Sequence, residues 1–159
     1  MFGFGKKKGQ NLVAAVNGKL EPITDVPDDV FSQKMMGDGY AINPSSKEVY
    51  APVSGIVSTV FPTKHAIGIT TDKGLEVLIH MGLDTVDLKG VPFQSQVKQG
   101  QRVNENTLLS EMDVDAIRNS GRDATVVIVY TNMDLLKEVP NISTTEIQHG
   151  DEVGKLQYK

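Results

Sequence analysis

The chain has no cysteine and no tryptophan, and only three of its 159 residues are histidine. Without cysteine there can be no disulfide, no thiolate metal site and no thiol nucleophile. The same absence fits a cytoplasmic protein. An excess of positive charge is also missing: the net charge is −4 and the pI is about 5.3. Nucleic-acid binding normally demands a basic surface, so no nucleic-acid partner is expected. No run approaches the roughly 18 apolar residues of a membrane span. Nor is there a recognisable export signal, because Lys6, Lys7 and Lys8 follow a short Phe/Gly segment and the apolar run Leu12 to Val16 is too brief. Phe2 and Phe4 beside these lysines could touch an anionic surface, so membrane contact is peripheral at most. Gly3, Gly5 and Gly9 oppose a helix there. Residues 1–17 therefore read as a flexible tail, and residues 18–159 as one domain of ordinary globular composition.

From Leu20 onward short apolar runs alternate with Gly/Pro turns. The stretches GYAINP, VYAPVSGIVSTVF, HAIGIT, LEVLIHM, RVNENTLLSEMD, TVVIVY and EVGKLQYK each read as strand. Only DVPDDVFSQ and DVDAIRNSG carry helix signals, with Asp25 and Asp113 as expected caps and Gly121 as a stop. The expected fold is all-β: an antiparallel, barrel-sandwich-like β-sandwich with one or two short helical turns. VYAPVSGIVSTVF and VKQGQRVNENTLLSEMD have the style of biotinyl/lipoyl-type barrel-sandwich halves, which bears on architecture alone.

His65 and His80 lie at matching distances from the turn TTDKG. A four-residue loop, Thr71 to Gly74, would pair Thr70 with Leu75 and set His65 opposite His80 on one face. A three-residue loop would place the two on opposite faces of the ladder. The four-residue version is the expectation, because it explains the mirrored positions. Opposed imidazoles with a hydroxyl at Thr63 suit one of two tasks: holding a metal, or phosphoryl transfer by a nucleophilic ring beside a donor. The third histidine, His149 before Gly150, reads as an exposed loop residue.

The segments APVSGIV (51–57), TKHAIGI (63–69) and GLEVLIHMGLDTVDLKG (74–90), with DVPDDVFSQKMMGDGYAINP (25–44) and VKQGQRV (97–103), resemble the glucose-type enzyme IIA of the bacterial phosphoenolpyruvate-dependent sugar phosphotransferase system. The resemblance implies an antiparallel β-sandwich and a phosphohistidine intermediate. His80 would receive the phosphoryl group from the histidine-containing phosphocarrier protein. His65 would hydrogen-bond the phosphate and serve onward transfer to a sugar-specific IIB domain of a permease, with Thr63 orienting its ring. Asp28 and Asp84 would meet a basic residue of the phosphocarrier. Phe31, Met36, Phe61, Ile67, Leu78 and Val86 would form an apolar docking patch, which regulatory target proteins could also use. The chain would act as a monomer with no cofactor and no intrinsic metal; His65 and His80 could ligate zinc only together with a partner.

Two other readings compete. A zinc peptidase on a related sandwich needs a further histidine where Leu78 stands and a carboxylate where Ile69 stands. A biotinyl or lipoyl carrier needs a lysine at a hairpin tip; Lys73 occupies such a tip, but TTDKGLE is not the usual context.

Overall fold

A computed structural model describes residues 9–159. The membrane contact expected at Phe2, Phe4 and Lys6 to Lys8 lies outside the described residues. No helix among the described residues is long and apolar enough to cross a membrane.

The described strands are β1 (Gly9–Val13), β2 (Gly18–Pro22), β3 (Asp38–Pro44), β4 (Glu48–Tyr50), β5 (Gly55–Val60), β6 (Ala66–Thr70), β7 (Glu76–Met81), β8 (Phe93–Ser95), β9 (Arg102–Val103), β10 (Leu108–Met112), β11 (Val126–Tyr130), β12 (Leu136–Glu138), β13 (Thr145–Ile147) and β14 (Glu152–Tyr158). Two short helices interrupt them, α1 (Asp29–Ser32) and α2 (Val114–Asn119). One large sheet runs β13-β2-β3-β11-β7-β6-β5-β9, and two three-stranded sheets run β4-β10-β8 and β1-β14-β12. The pairings are antiparallel, as expected.

Alternation along the central strands builds the main core. Tyr40, Ile42, Ile67, Ile69, Val77, Ile79, Val126 and Ile128 point inward and are buried. The opposite face of the same strands is partly covered: Ala41, Val127 and Val129 pack with Ile23, Val26, Phe31 and Leu83 in a second, smaller cluster. Burial on both faces explains why β11 reads as an unbroken apolar run, VVIVY, rather than as alternation. The small cluster matters most here, because α1 seats it beside His80.

Several expectations need correction. Residues 9–17 are not a tail: β1 pairs with β14, and Leu12, Ala14, Ala15 and Val16 are fully buried. The Tyr40 hydroxyl locks this segment, donating to the Val13 carbonyl at 2.7 Å and accepting from the Ala15 N–H at 3.1 Å. Residues 9–17 are therefore part of the folded domain and not a segment apart from it. Strands β1, β2, β8, β12 and β13 were not anticipated: β8, β12 and β13 have only three residues each, and β1 is held by β14 at the other end of the chain. The cap of α1 is Asp28, whose side chain accepts the Val30 N–H, and not Asp25. The cap of α2 is Asp113, as expected. His149 lies in a turn, as expected, but is half-buried rather than exposed: its ring stacks on Tyr50 at 3.8 Å, with Nδ1 2.7 Å from Asn106 Oδ1.

The β6–β7 hairpin also departs from its expected register. Thr70 pairs with Glu76, Ile67 with Ile79, and Ala66 with His80. The reason is the loop. Thr71 exchanges bonds with Leu75 through its N–H and its hydroxyl, which leaves a three-residue turn closed by Gly74 at φ 90°.

Candidate functional site

Strand β7 presents Val77, Ile79 and Met81 to the main core and Glu76, Leu78 and His80 to the other face. His80 thus emerges beside the small cluster, half-buried, with its ring edge-on to Phe31 at a centroid distance of 5.0 Å. Just past the strand the backbone turns at Gly82, where φ is 81°. A Cβ at this position would lie 2.5 Å from Thr85 Cγ2, so both conformation and space require glycine. The turn brings the Gly82 carbonyl back to 2.8 Å from His80 Nδ1. A carbonyl can only accept, so Nδ1 carries the proton and Nε2 keeps its lone pair.

His65 reaches the same place by a different route. In the ladder it would share a face with Met81, whose N–H bonds the His65 carbonyl. The chain leaves β6 at this residue, however. A turn closed by Lys64 N–H on the Phe61 carbonyl, with Lys64 at φ 61°, redirects it. The His65 ring then meets His80 edge to face, with centroids 5.0 Å apart and planes at 79°. The expected pairing of the two rings is present, but a loop makes it and the strand register does not. Thr63 Oγ1 lies 2.6 Å from His65 Nδ1. With the hydroxyl donating, the ring proton sits on Nε2, free to donate outward. Phe61 backs this ring at 5.4 Å.

Burial pushes the His80 pKa down to about 4, with the neighbouring His65 adding to it; the Gly82 carbonyl, Asp28 and Asp84 pull weakly the other way. Burial lowers His65 as well. Both rings are therefore neutral near pH 7, which is the state a nucleophilic imidazole needs. Asp28 is half-buried at the start of α1, and Asp84 is exposed in the left-handed conformation at φ 58°.

Of the expected apolar patch, Met36 and Val86 are exposed, Phe61 and Leu78 are half-buried, and Phe31 is 4% exposed and serves as a wall for His80. Ile67 does not belong to it. Its side chain is fully buried opposite Ile79, because the observed pairing of β6 with β7 turns it into the main core and sets Gly68 opposite Leu78 instead. Val30 and Met35, 43% and 71% exposed, were not foreseen. The adjacent methionines of QKMMGDG, outside any apolar period, were the available signal for Met35. The face is open rather than pocketed. A cavity of about 530 Å³, lined by Ser45, Lys47, Val91 and Glu111 among others, holds neither histidine of the pair. Among the described residues no three His, Asp or Glu side chains are grouped to hold a metal.

Residues 10–136 match the model of the family described as phosphoenolpyruvate-dependent sugar phosphotransferase system, EIIA 1. The chain is 45% identical over 148 residues to the PTS system glucose-specific EIICBA component of Streptococcus pneumoniae, covering 93% of this chain but 20% of that protein. It is 42% identical over 159 residues to the PTS system glucose-specific EIIA component of Halalkalibacterium halodurans, covering 95% of this chain and 92% of the other. The structure matches glucose permease IIA from Mycoplasma capricolum with a TM-score of 0.85 and 39% identity, over 93% of this chain and 96% of that one. These likenesses support neither the peptidase nor the biotinyl/lipoyl alternative.

Proposed function

The chain belongs to the EIIA 1 family of the phosphoenolpyruvate-dependent sugar phosphotransferase system, and we propose that it carries a phosphoryl group on Nε2 of His80 during sugar uptake. The observation that supports this best is the His80 Nδ1–Gly82 carbonyl bond, which leaves Nε2 as the free lone pair beside a second neutral imidazole. In the step, that lone pair attacks the phosphorus of a phosphohistidine on the histidine-containing phosphocarrier protein. The new P–N bond forms as the old one breaks, and the electron pair returns to the donor's imidazole. Handing the group to a sugar-specific IIB domain repeats the exchange with His80 as the leaving ring. His65, steadied by Thr63, donates from Nε2 to a phosphoryl oxygen in both directions.

An open, apolar face rimmed by Asp28 and Asp84 suits docking of a partner with a basic residue. Met35, Met36, Val30 and Val86 supply the apolar part, and methionine adapts to more than one partner. The same face would serve regulatory target proteins that distinguish the phosphorylated form, since the phosphoryl group adds nearly two negative charges. Two imidazoles are half of a tetrahedral zinc shell, so zinc would bind here only with ligands from such a partner. We place the carrier in the cytoplasm, as a monomer.

The test is incubation with phosphoenolpyruvate, the first phosphotransferase enzyme and the phosphocarrier, followed by intact mass. One added phosphoryl group, labile in acid and absent in His80→Gln, is expected. An unchanged mass, or a labelled His80→Gln, would overturn the reading.

A further inference from the structure

Beside His80 two segments distant in sequence are tied by one side chain. Arg122, between α2 and β11, places Nε 3.0 Å from the Asp84 carbonyl and 3.0 Å from Asp87 Oδ1. Its Nη2 lies 2.6 Å from Asp87 Oδ2, and its Nη1 lies 3.3 Å from the Ser120 carbonyl. The guanidinium therefore grips the helical turn Thr85–Leu88 from both sides of Val86, and the planar fork uses its bidentate geometry on the Asp87 carboxylate. The next residue continues the strap: the Asp123 carbonyl accepts the Leu83 N–H at 2.8 Å.

What is gripped is strained. Asp84 has φ 58°, a left-handed conformation uncommon outside glycine, and such a backbone persists only where its surroundings over-determine it. The Gly82 carbonyl that orders His80 is held separately, by the Thr125 carbonyl on the Gly82 N–H and by the Thr85 hydroxyl on the Met81 carbonyl. Arg122 thus acts one step beyond the chemistry, on the residues offered to a partner.

We infer that Arg122 is a positioning residue for docking: it fixes the 84–88 turn so that the Asp84 carboxylate and Val86 meet the phosphoryl donor in one arrangement. The inference rests on the carrier reading given above. Geometry and charge pull in opposite directions here, which makes the two separable. Loss of the guanidinium leaves the face more negative, and by charge alone that would favour a basic partner. Loss of the grip frees the turn, and that weakens docking. Lysine keeps the charge but cannot reproduce the fork.

The experiment measures initial rates of phosphorylation against the concentration of phosphorylated phosphocarrier for wild type, Arg122→Gln and Arg122→Lys. Arg118→Gln, which carries the same charge change at a residue bonded to Asn43 and Pro44, is the control. Both Arg122 variants should raise KM about threefold to tenfold with kcat unchanged, the pattern of lost binding rather than lost chemistry, while Arg118→Gln should match wild type. A lowered KM in Arg122→Gln, or a wild-type KM in Arg122→Lys, would show that charge alone matters and overturn the inference. Amide exchange at Val86 and Asp87 gives an independent readout. It should quicken in both Arg122 variants, and unchanged exchange removes the grip even if wild type accepts the phosphoryl group normally. Failure of wild type to accept the group would instead remove the carrier reading.

Discussion

Nδ1 of His80 lies 2.8 Å from the carbonyl oxygen of Gly82, and this hydrogen bond decides which ring nitrogen keeps a free lone pair. The carbonyl belongs to a glycine at φ 81° wedged against Thr85, so the bond is built into the backbone and does not depend on a mobile side chain. Gly82→Ala should therefore damage both fold and chemistry. Its Cβ would meet Thr85 Cγ2 at 2.5 Å, and the left-handed backbone would be strained. A loss of about 1–3 kcal/mol in denaturant unfolding is expected, together with slower phosphorylation; a variant of wild-type stability and rate would contradict this account.

His65 and His80 should separate in single-turnover transfer. His65→Gln should still accept the phosphoryl group, because an amide can donate to a phosphoryl oxygen. Delivery to the IIB domain should slow by about 10²–10³, the usual size of such an electrostatic loss, because an amide cannot adjust its protonation as charge leaves. His80→Gln should block both steps, and Thr63→Val should give a milder version of the His65 defect by removing the 2.6 Å bond to its ring. Identical behaviour of the two histidine variants would end this division of roles.

The pH profile follows from the depressed pKa of His80, about 4. Phosphoryl acceptance should hold steady from pH 8 to about pH 5 and fall only as the ring protonates near 4. Stability has the same sign. Between its ordinary value and about 4 the unfolded chain binds a proton that the folded ring refuses, so the folded state loses stability as pH drops through that window. The loss attributable to this ring is about 3 kcal/mol at most. Chemical denaturation of wild type and His80→Gln at pH 7.5 and 4.5 should show the smaller acid loss in the variant.

The N-terminal strand offers a test of the domain boundary. Tyr40→Phe removes a hydroxyl bonded to both Val13 and Ala15 and should cost about 1–3 kcal/mol. It lies in the core and away from the histidine pair, so the maximal phosphorylation rate should stay at the wild-type value. Deleting residues 1–17 should be far worse, since Leu12, Ala14, Ala15 and Val16 are fully buried. A stable deletion product would restore the boundary at residue 18.

The sequence by itself determined what depends on near neighbours. Alternation in LEVLIHM put His80 on the face opposite Ile79, Asp113 capped its helix, and the absence of cysteine removed thiol chemistry altogether. The histidine motifs, with APVSGIV, DVPDDVFSQKMMGDGYAINP and VKQGQRV, also carried the resemblance to the family. Tertiary structure decided everything that rests on a distant partner or on a single turn. Thr71 and Gly74 chose a three-residue loop, which moved the ladder by one residue and sent Ile67 inward. A left-handed Lys64 then brought His65 back to His80, against what that register would allow. Gly9 found Gln157, and Arg122 found Asp87, across the length of the fold. Local propensity is set within a few residues, whereas such contacts form only once the intervening chain has folded and its loops have closed, so no short window of sequence carries their signal.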